Sequence, residues 1–159
     1  MEGQQSYLRS LFSSGHALGI GHPEFDAEGQ NIIVGIGGIT VVHSYAPPSN
    51  LTQKGMDKRK RWDTAMKETL TQVSKTTKPV IWTGDMNLVH TDKDIHPKIR
   101  LQPAVRRLDQ TLWPGCTQEE RQRWDNILTD SNLVDPKQII STATSTPDRG
   151  VADLGITLL

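Results

Sequence analysis

The feature that most constrains this chain is a short apolar run that ends on a glycine and an acid. Residues 79–83 (PVIWT) are apolar and β-prone, which is how a buried strand reads. Gly84, Asp85, Met86 and Asn87 follow at once. Glycine lets a backbone turn sharply or come close to a ligand. A carboxylate and a carboxamide two residues apart then lie on one side of an extended segment. The end of a buried strand fixes such side chains while the loop leaves them open, a setting that suits a hard cation or a reacting phosphate. The commoner reading of Gly-Asp after a strand is a turn whose aspartate caps a helix. The four residues alone leave both readings open.

The rest of the chain frames that strand. Residues 31–35 and 39–45 are β-rich runs joined by Ile36, Gly37 and Gly38, which predicts a hairpin. Gly35, Gly37 and Gly38 do not make a dinucleotide fingerprint, because Thr40 interrupts the pattern and no helix follows. Residues 46–50 (APPSN) form a rigid loop. A helix is expected over 57–74, with Trp62, Ala65, Met66, Leu70 and Val73 on one face. Its first turn then carries Lys58, Arg59, Lys60 and Arg61, a run that opposes the positive end of the helix dipole. An approaching anion would explain it; so would a solvated face.

Beyond the strand, a short helix is expected within 100–113. Thr117 and Glu120 have capping-box spacing ahead of a helix over 118–131 that buries Trp124, Ile127 and Leu128. Strands are expected near 133–135 and within 151–159, with a loop at 141–150. Residues 1–21 are weakly patterned: Tyr7, Leu8, Leu11 and Phe12 fit one helical turn or a strand remnant. Residues 22–30 (HPEFDAEGQ) read as a polar turn. The expected fold is α/β, with mixed or antiparallel strands packed between helices and 79–83 central. The 159 residues suit one domain.

Lysine plus arginine and aspartate plus glutamate both total 18, so net charge gives no sign of a nucleic-acid partner. Only the local basic run carries that argument. Cys116 is the single cysteine, which excludes an internal disulfide and fits a reducing compartment. No apolar stretch approaches the roughly 18 residues of a membrane span. The N-terminus lacks the basic-then-apolar layout of a signal peptide. A soluble, intracellular protein with no membrane partner is expected.

Several segments fall in a telling order: EFDAEGQ at 24–30, VVHSYAPPSN at 41–50, KRWD at 60–63, KPVIWTGDMN at 78–87, VHTDKDIHPK at 89–98 and PGCTQEERQRW at 114–124. Together they resemble the exodeoxyribonuclease III and apurinic endonuclease family, part of the endonuclease/exonuclease/phosphatase superfamily that includes deoxyribonuclease I. The likeness covers about residues 24–135. It implies a partial four-layer α/β sandwich of the deoxyribonuclease I-like type, with 1–159 as a single incomplete domain. It also implies hydrolysis of a DNA phosphodiester, at an abasic site or a 3′ end, with Mg²⁺ or Mn²⁺, and a nuclear or other intracellular location.

By that resemblance Tyr45, Asp85 and Asn87 are the catalytic residues. Asp85 orients or deprotonates the attacking water, Asn87 stabilises charge developing on phosphorus, and Tyr45 hydrogen-bonds the phosphate. Asp85, Asn87 and Asp153 are the expected metal ligands. Arg59, Arg61, His90 and Lys98 are the expected DNA contacts. The departures matter as much. Pro48 stands where the family has Asn. The family's first strand with its Asn, and the next with its metal-binding Glu, have no counterpart here. Where the family ends on Asp-His, this chain has Ala152-Asp153, or Asp153-Leu154 if shifted by one. None of His16, His22, His43, His90 or His96 falls at the place of the general base. Loss of such a group typically costs ~10²–10⁴ in rate. The alternative is therefore a catalytically inactive, truncated relative retaining at most weak DNA binding, or one completed as a homodimer.

Overall fold

The computed structural model describes residues 16–50, 52–75, 78–96, 113–136 and 155–157. Their framework is a six-stranded mixed sheet. The predicted hairpin is β2 (Asn31–Ile36) against β3 (Ile39–Tyr45), antiparallel from Asn31 opposite Ser44 to Ile36 opposite Ile39. Gly37 and Gly38 close it with positive φ at both positions, a turn that glycine adopts without a Cβ penalty. The edge beyond β2 is β1 (His16–Leu18), inside a stretch with no clear pattern. Three residues are too few for alternation to show.

The central strand, β4 (Val80–Asp85), runs parallel to β3. Such a pair needs a long crossover, here α2 (Gln53–Ser74). On the far side of β4 lies β6 (Gly155–Thr157), and β5 (Leu133–Val134) pairs outside it, giving the order β1-β2-β3-β4-β6-β5. Strand 79–83 was expected to be central, and β4 is.

The core lies between the sheet and its helices. Trp62, Met66, Leu70 and Val73 of α2 meet Trp124, Ile127 and Leu128 of α3 (Gln118–Asp130), over Ile33, Val42, Val80 and Trp82 of the strands. The Trp82 and Trp124 rings stack at 4.8 Å between centroids, and the Trp82 indole N–H donates to Ser44 Oγ at 3.1 Å. Alternation sends Ile32, Val41, His43 and Tyr45 to the other face, where Ile32 and Tyr45 are exposed. The described residues thus supply a sheet and one helical layer of the expected sandwich.

Two expectations need correction. Residues 22–30 are not merely a polar turn: Pro23–Asp26 form a short helix, α1, whose Phe25 is fully buried. One anchor in four residues leaves no periodicity to read. Helix α2 begins at Gln53, not 57, because Thr52 caps it by accepting from the Gly55 N–H at 3.1 Å. The run Lys58–Arg61 therefore lies beyond the first turn, and the argument from the helix dipole falls. The capping box of α3 forms as expected. The short helix over 100–113, the loop at 141–150 and the pattern at 7–12 fall, almost entirely, outside the described residues.

Candidate active site at the β3–β4 rim

Because β3 and β4 are parallel and in register, Tyr45 and Asp85 are adjacent partners at the same end of the sheet. Tyr45 is 44% exposed, and Asp85 is exposed as well. The chain leaves β3 through Ala46 and Pro47 and leaves β4 through Met86 and Asn87, and the two exits are tied together. Ala46 N–H donates to the Asp85 carbonyl at 2.8 Å. Asn87 Nδ2 donates to the Ala46 carbonyl at 2.8 Å. Within the second exit, Asn87 N–H donates to Asp85 Oδ1 at 2.9 Å.

That last contact answers the question left open by Gly-Asp. Asp85 does form a turn, but with its own chain two residues on, and the next residues are irregular rather than helical. Asn87 adopts the left-handed backbone, φ 44°, which asparagine tolerates better than most residues. Asp85 Oδ2 and Asn87 Oδ1 are left without a hydrogen-bond partner among the described residues. These are two hard oxygens on an open rim. No group of three or more His, Cys, Asp or Glu gathers as a metal site among the described residues. Asp153, the further expected ligand, lies outside them.

The loops are held from behind. Gly84 has φ 136°, and a Cβ there would collide with the Ser44 carbonyl, so only glycine lets β4 approach β3 so closely. A Cβ at Gly115 would collide with the Asn87 carbonyl, and Val89 N–H donates to the Gly115 carbonyl at 2.7 Å. The turn at Gly115 is fixed in turn by the buried Glu120 carboxylate. It accepts from Gly115 N–H at 3.0 Å, Thr117 N–H at 3.2 Å and Thr117 Oγ1 at 2.7 Å. Burial works to raise the Glu120 pKa, but the Thr117 hydroxyl and these N–H groups outweigh it and hold it below the usual glutamate value. The neighbouring Cys116 is buried, and that burial pushes its thiol up.

Relatives share this sequence over most of its length. A DNA-(apurinic or apyrimidinic site) endonuclease of Plasmodium falciparum is 30% identical over 112 residues, covering 68% of this chain and 18% of that protein. One of Dictyostelium discoideum is 32% identical over 116 residues, covering 70% and 28%. An exodeoxyribonuclease of Streptococcus pneumoniae is 34% identical over 110 residues, covering 69% and 36%. Over about 70% of its length the chain is homologous to members of the exodeoxyribonuclease and apurinic endonuclease family. It spans only about a fifth to a third of the length of these relatives. No family model matches it. The fold agrees: a 3′-5′ exonuclease from Neisseria meningitidis superposes with a TM-score of 0.59 at 18% identity, over 72% of this chain and 42% of that one. An AP endonuclease from Archaeoglobus fulgidus gives 0.54 at 18% identity, over 72% and 41%.

Of the DNA contacts that the resemblance suggested, three fall among the described residues. Arg61 is on the surface, in a two-bond pair with Glu24 at 2.7 and 3.1 Å. The Arg61 hydrogen bond holds the Glu24 carboxyl below its usual range, and Glu24 in return raises Arg61. Lys58 pairs with Glu28. His90 is mostly buried, its Nε2 2.8 Å from Asp125 Oδ1 and its Nδ1 3.3 Å from Asp135 Oδ2. It ties the loop after β4 to α3 and β5. Lys98 lies outside the described residues.

Arg59 is the clear correction. It is 1% exposed and cannot meet a DNA backbone at the surface. Its Nε donates to Asp63 Oδ1 at 2.8 Å, and Arg123 Nε donates to Asp63 Oδ2 at 2.8 Å. Its Nη1 reaches the carbonyls of Pro47 and Asn87. The signal was present in the sequence: Arg59 stands three residues before Trp62 and seven before Met66, on the apolar stripe of its helix, and four before Asp63. An open groove of about 510 Å³ lined by His22, Asp57, Lys60, Arg61, Thr64 and Glu68 shares none of Tyr45, Asp85 or Asn87.

Proposed function

We propose that this chain carries part of the catalytic centre of a Mg²⁺-dependent DNA phosphodiester hydrolase that acts at abasic sites or 3′ ends. One observation carries the reading: Tyr45 and Asp85 are register partners at one open rim, with Asn87 bonded to both exits. The names of the relatives supply the substrate class. In the reaction, water attacks phosphorus and one P–O ester bond breaks. Asp85 Oδ1 is engaged by the Asn87 N–H, so Oδ2 is the oxygen that orients the water or takes its proton. The Tyr45 hydroxyl and the second amide hydrogen of Asn87 donate to the phosphate oxygens as charge builds on them.

The residues fit a hydrated Mg²⁺, which takes one or two carboxylates and keeps several waters. Asn87 Oδ1 would hold it directly and Asp85 Oδ2 through the water it orients, with Asp153 the further ligand expected from the sequence. When bound, such an ion offsets the negative charge of the reacting phosphate. Manganese would serve the same ligands.

The test is nicking of a duplex with one abasic site in Mg²⁺, comparing the chain with Asp85→Ala. Without the expected histidine, turnover should be slow, below the ~1–10³ s⁻¹ of ordinary enzymes. Asp85→Ala should lower it by a further ~10²–10⁴. Nicking that survives this change would refute the assignment. A second reading, an inactive relative with at most weak DNA binding, is favoured by the single carboxylate that the described residues bring to the rim. It predicts no nicking at any concentration, and binding whose log affinity falls linearly with log salt. Completion of the centre by a second copy is a further form of the proposal, which sedimentation of the intact chain reads directly.

A further inference from the structure

We infer that Arg59 is a positioning residue, whose buried guanidinium sets the Tyr45 exit and the Asp85–Asn87 exit at a fixed distance from each other. The inference rests on the reading of Tyr45, Asp85 and Asn87 as the active site. Pro47 and Asn87 belong to different loops, 40 residues apart in the chain, and one Arg59 nitrogen donates to both carbonyls, at 3.4 and 3.3 Å. Each contact is longer than an ordinary 2.7–3.2 Å bond, so neither would locate the guanidinium alone. The short bond from Nε to Asp63 does that, with the Trp62 ring 5.6 Å from the guanidinium carbon. Asp63 is steadied from α3 by Arg123, itself paired with Glu119 at 2.8 Å. The chain of contacts runs from α3 through α2 to both loops of the rim.

An arginine is required here because its planar fork can serve a carboxylate and a carbonyl at once, whereas a lysine ammonium keeps the charge without that reach. Arg59→Lys therefore separates charge from geometry. The primary readout is amide hydrogen exchange at Ala46, whose N–H bonds the Asp85 carbonyl across the two exits. Val42 and Trp82, inside the sheet, report the fold. Arg59→Lys should speed exchange at Ala46 about tenfold relative to Val42 and Trp82, as expected for loosening one charge-assisted contact. Unchanged exchange at Ala46, or equal acceleration at all three amides, would overturn the inference. If the lysine variant does not fold, Arg123→Lys, which loosens Asp63 from a partly exposed position, should accelerate Ala46 in the same selective way; no effect there overturns the inference equally.

The exchange result needs no activity. A wild-type chain inert on abasic DNA would sink the proposed function and leave Ala46 to decide about Arg59. Where the wild type nicks, Arg59→Lys should lower kcat about tenfold with KM little changed, since misplaced catalytic groups cost rate rather than affinity. A rise in KM at constant kcat would overturn the positioning role.

Discussion

Replacing Asp63 by asparagine separates the two kinds of ion pair that one basic run makes. Asp63 is 4% exposed, and each of its oxygens takes one arginine at 2.8 Å. Asparagine keeps the volume and one acceptor, but it removes the charge and turns an NH₂ toward a guanidinium. Arg59 is left as a buried cation with only carbonyl oxygens for partners. Breaking a buried pair from one side costs about 3–5 kcal/mol. Arg123, at 18% side-chain exposure, recovers some water and keeps Glu119, which places the cost near the lower end. Set against a total stability of roughly 5–15 kcal/mol, that is a large share. With a urea slope of ~1–3 kcal/mol/M, the unfolding midpoint should fall by roughly 1–3 M, read by tryptophan fluorescence at unchanged slope. The control is Arg61→Ala, two residues along the same run. Its pair with Glu24 is exposed on both sides and screened by water and salt, so the midpoint should not move. A midpoint for Asp63→Asn within error of wild type, or equal shifts for both variants, would refute the argument that burial divides the run.

Gly84→Ala should destabilise by more than the ~1–3 kcal/mol of a strained backbone alone, since the new Cβ also meets the Ser44 carbonyl, whereas Gly37→Ala meets only its positive φ with open space around it; paired thermal melts compare them. Asp85→Ala, at an exposed position, should leave the melting temperature nearly unchanged while lowering any nicking by ~10²–10⁴. Glu120 has a folded pKa below its unfolded value, so its contribution is fully present above the ordinary glutamate pKa and is lost as pH falls through the folded value. The stability gap between wild type and Glu120→Gln should therefore be wide at neutral pH and close in acid, read from melting temperature against pH. A gap that widens in acid would reverse the sign of that argument.

The sequence by itself determined what local signals carry. Two β-rich runs and a glycine pair located the β2–β3 hairpin, Thr117 and Glu120 located the start of α3, and an apolar run ending on Gly-Asp located β4. Tyr45 and Asp85 close neighbouring strands and Asn87 lies two residues on, so the three share a rim; their expected roles came from the family resemblance and not from the strand pattern. The three-residue β1 and the single anchor Phe25 of α1 were too short to make any period. Tertiary structure alone decided the fate of the charges. Lys58, Arg59 and Arg61 read as one basic patch, yet the helix turns Lys58 and Arg61 outward to Glu28 and Glu24 and Arg59 inward. His90 likewise reads as a surface contact until Asp125 and Asp135 arrive from 35 and 45 residues away. The physical reason is that a charge is written in the sequence, but its desolvation and its partner are not. Both are set only when distant segments close over it.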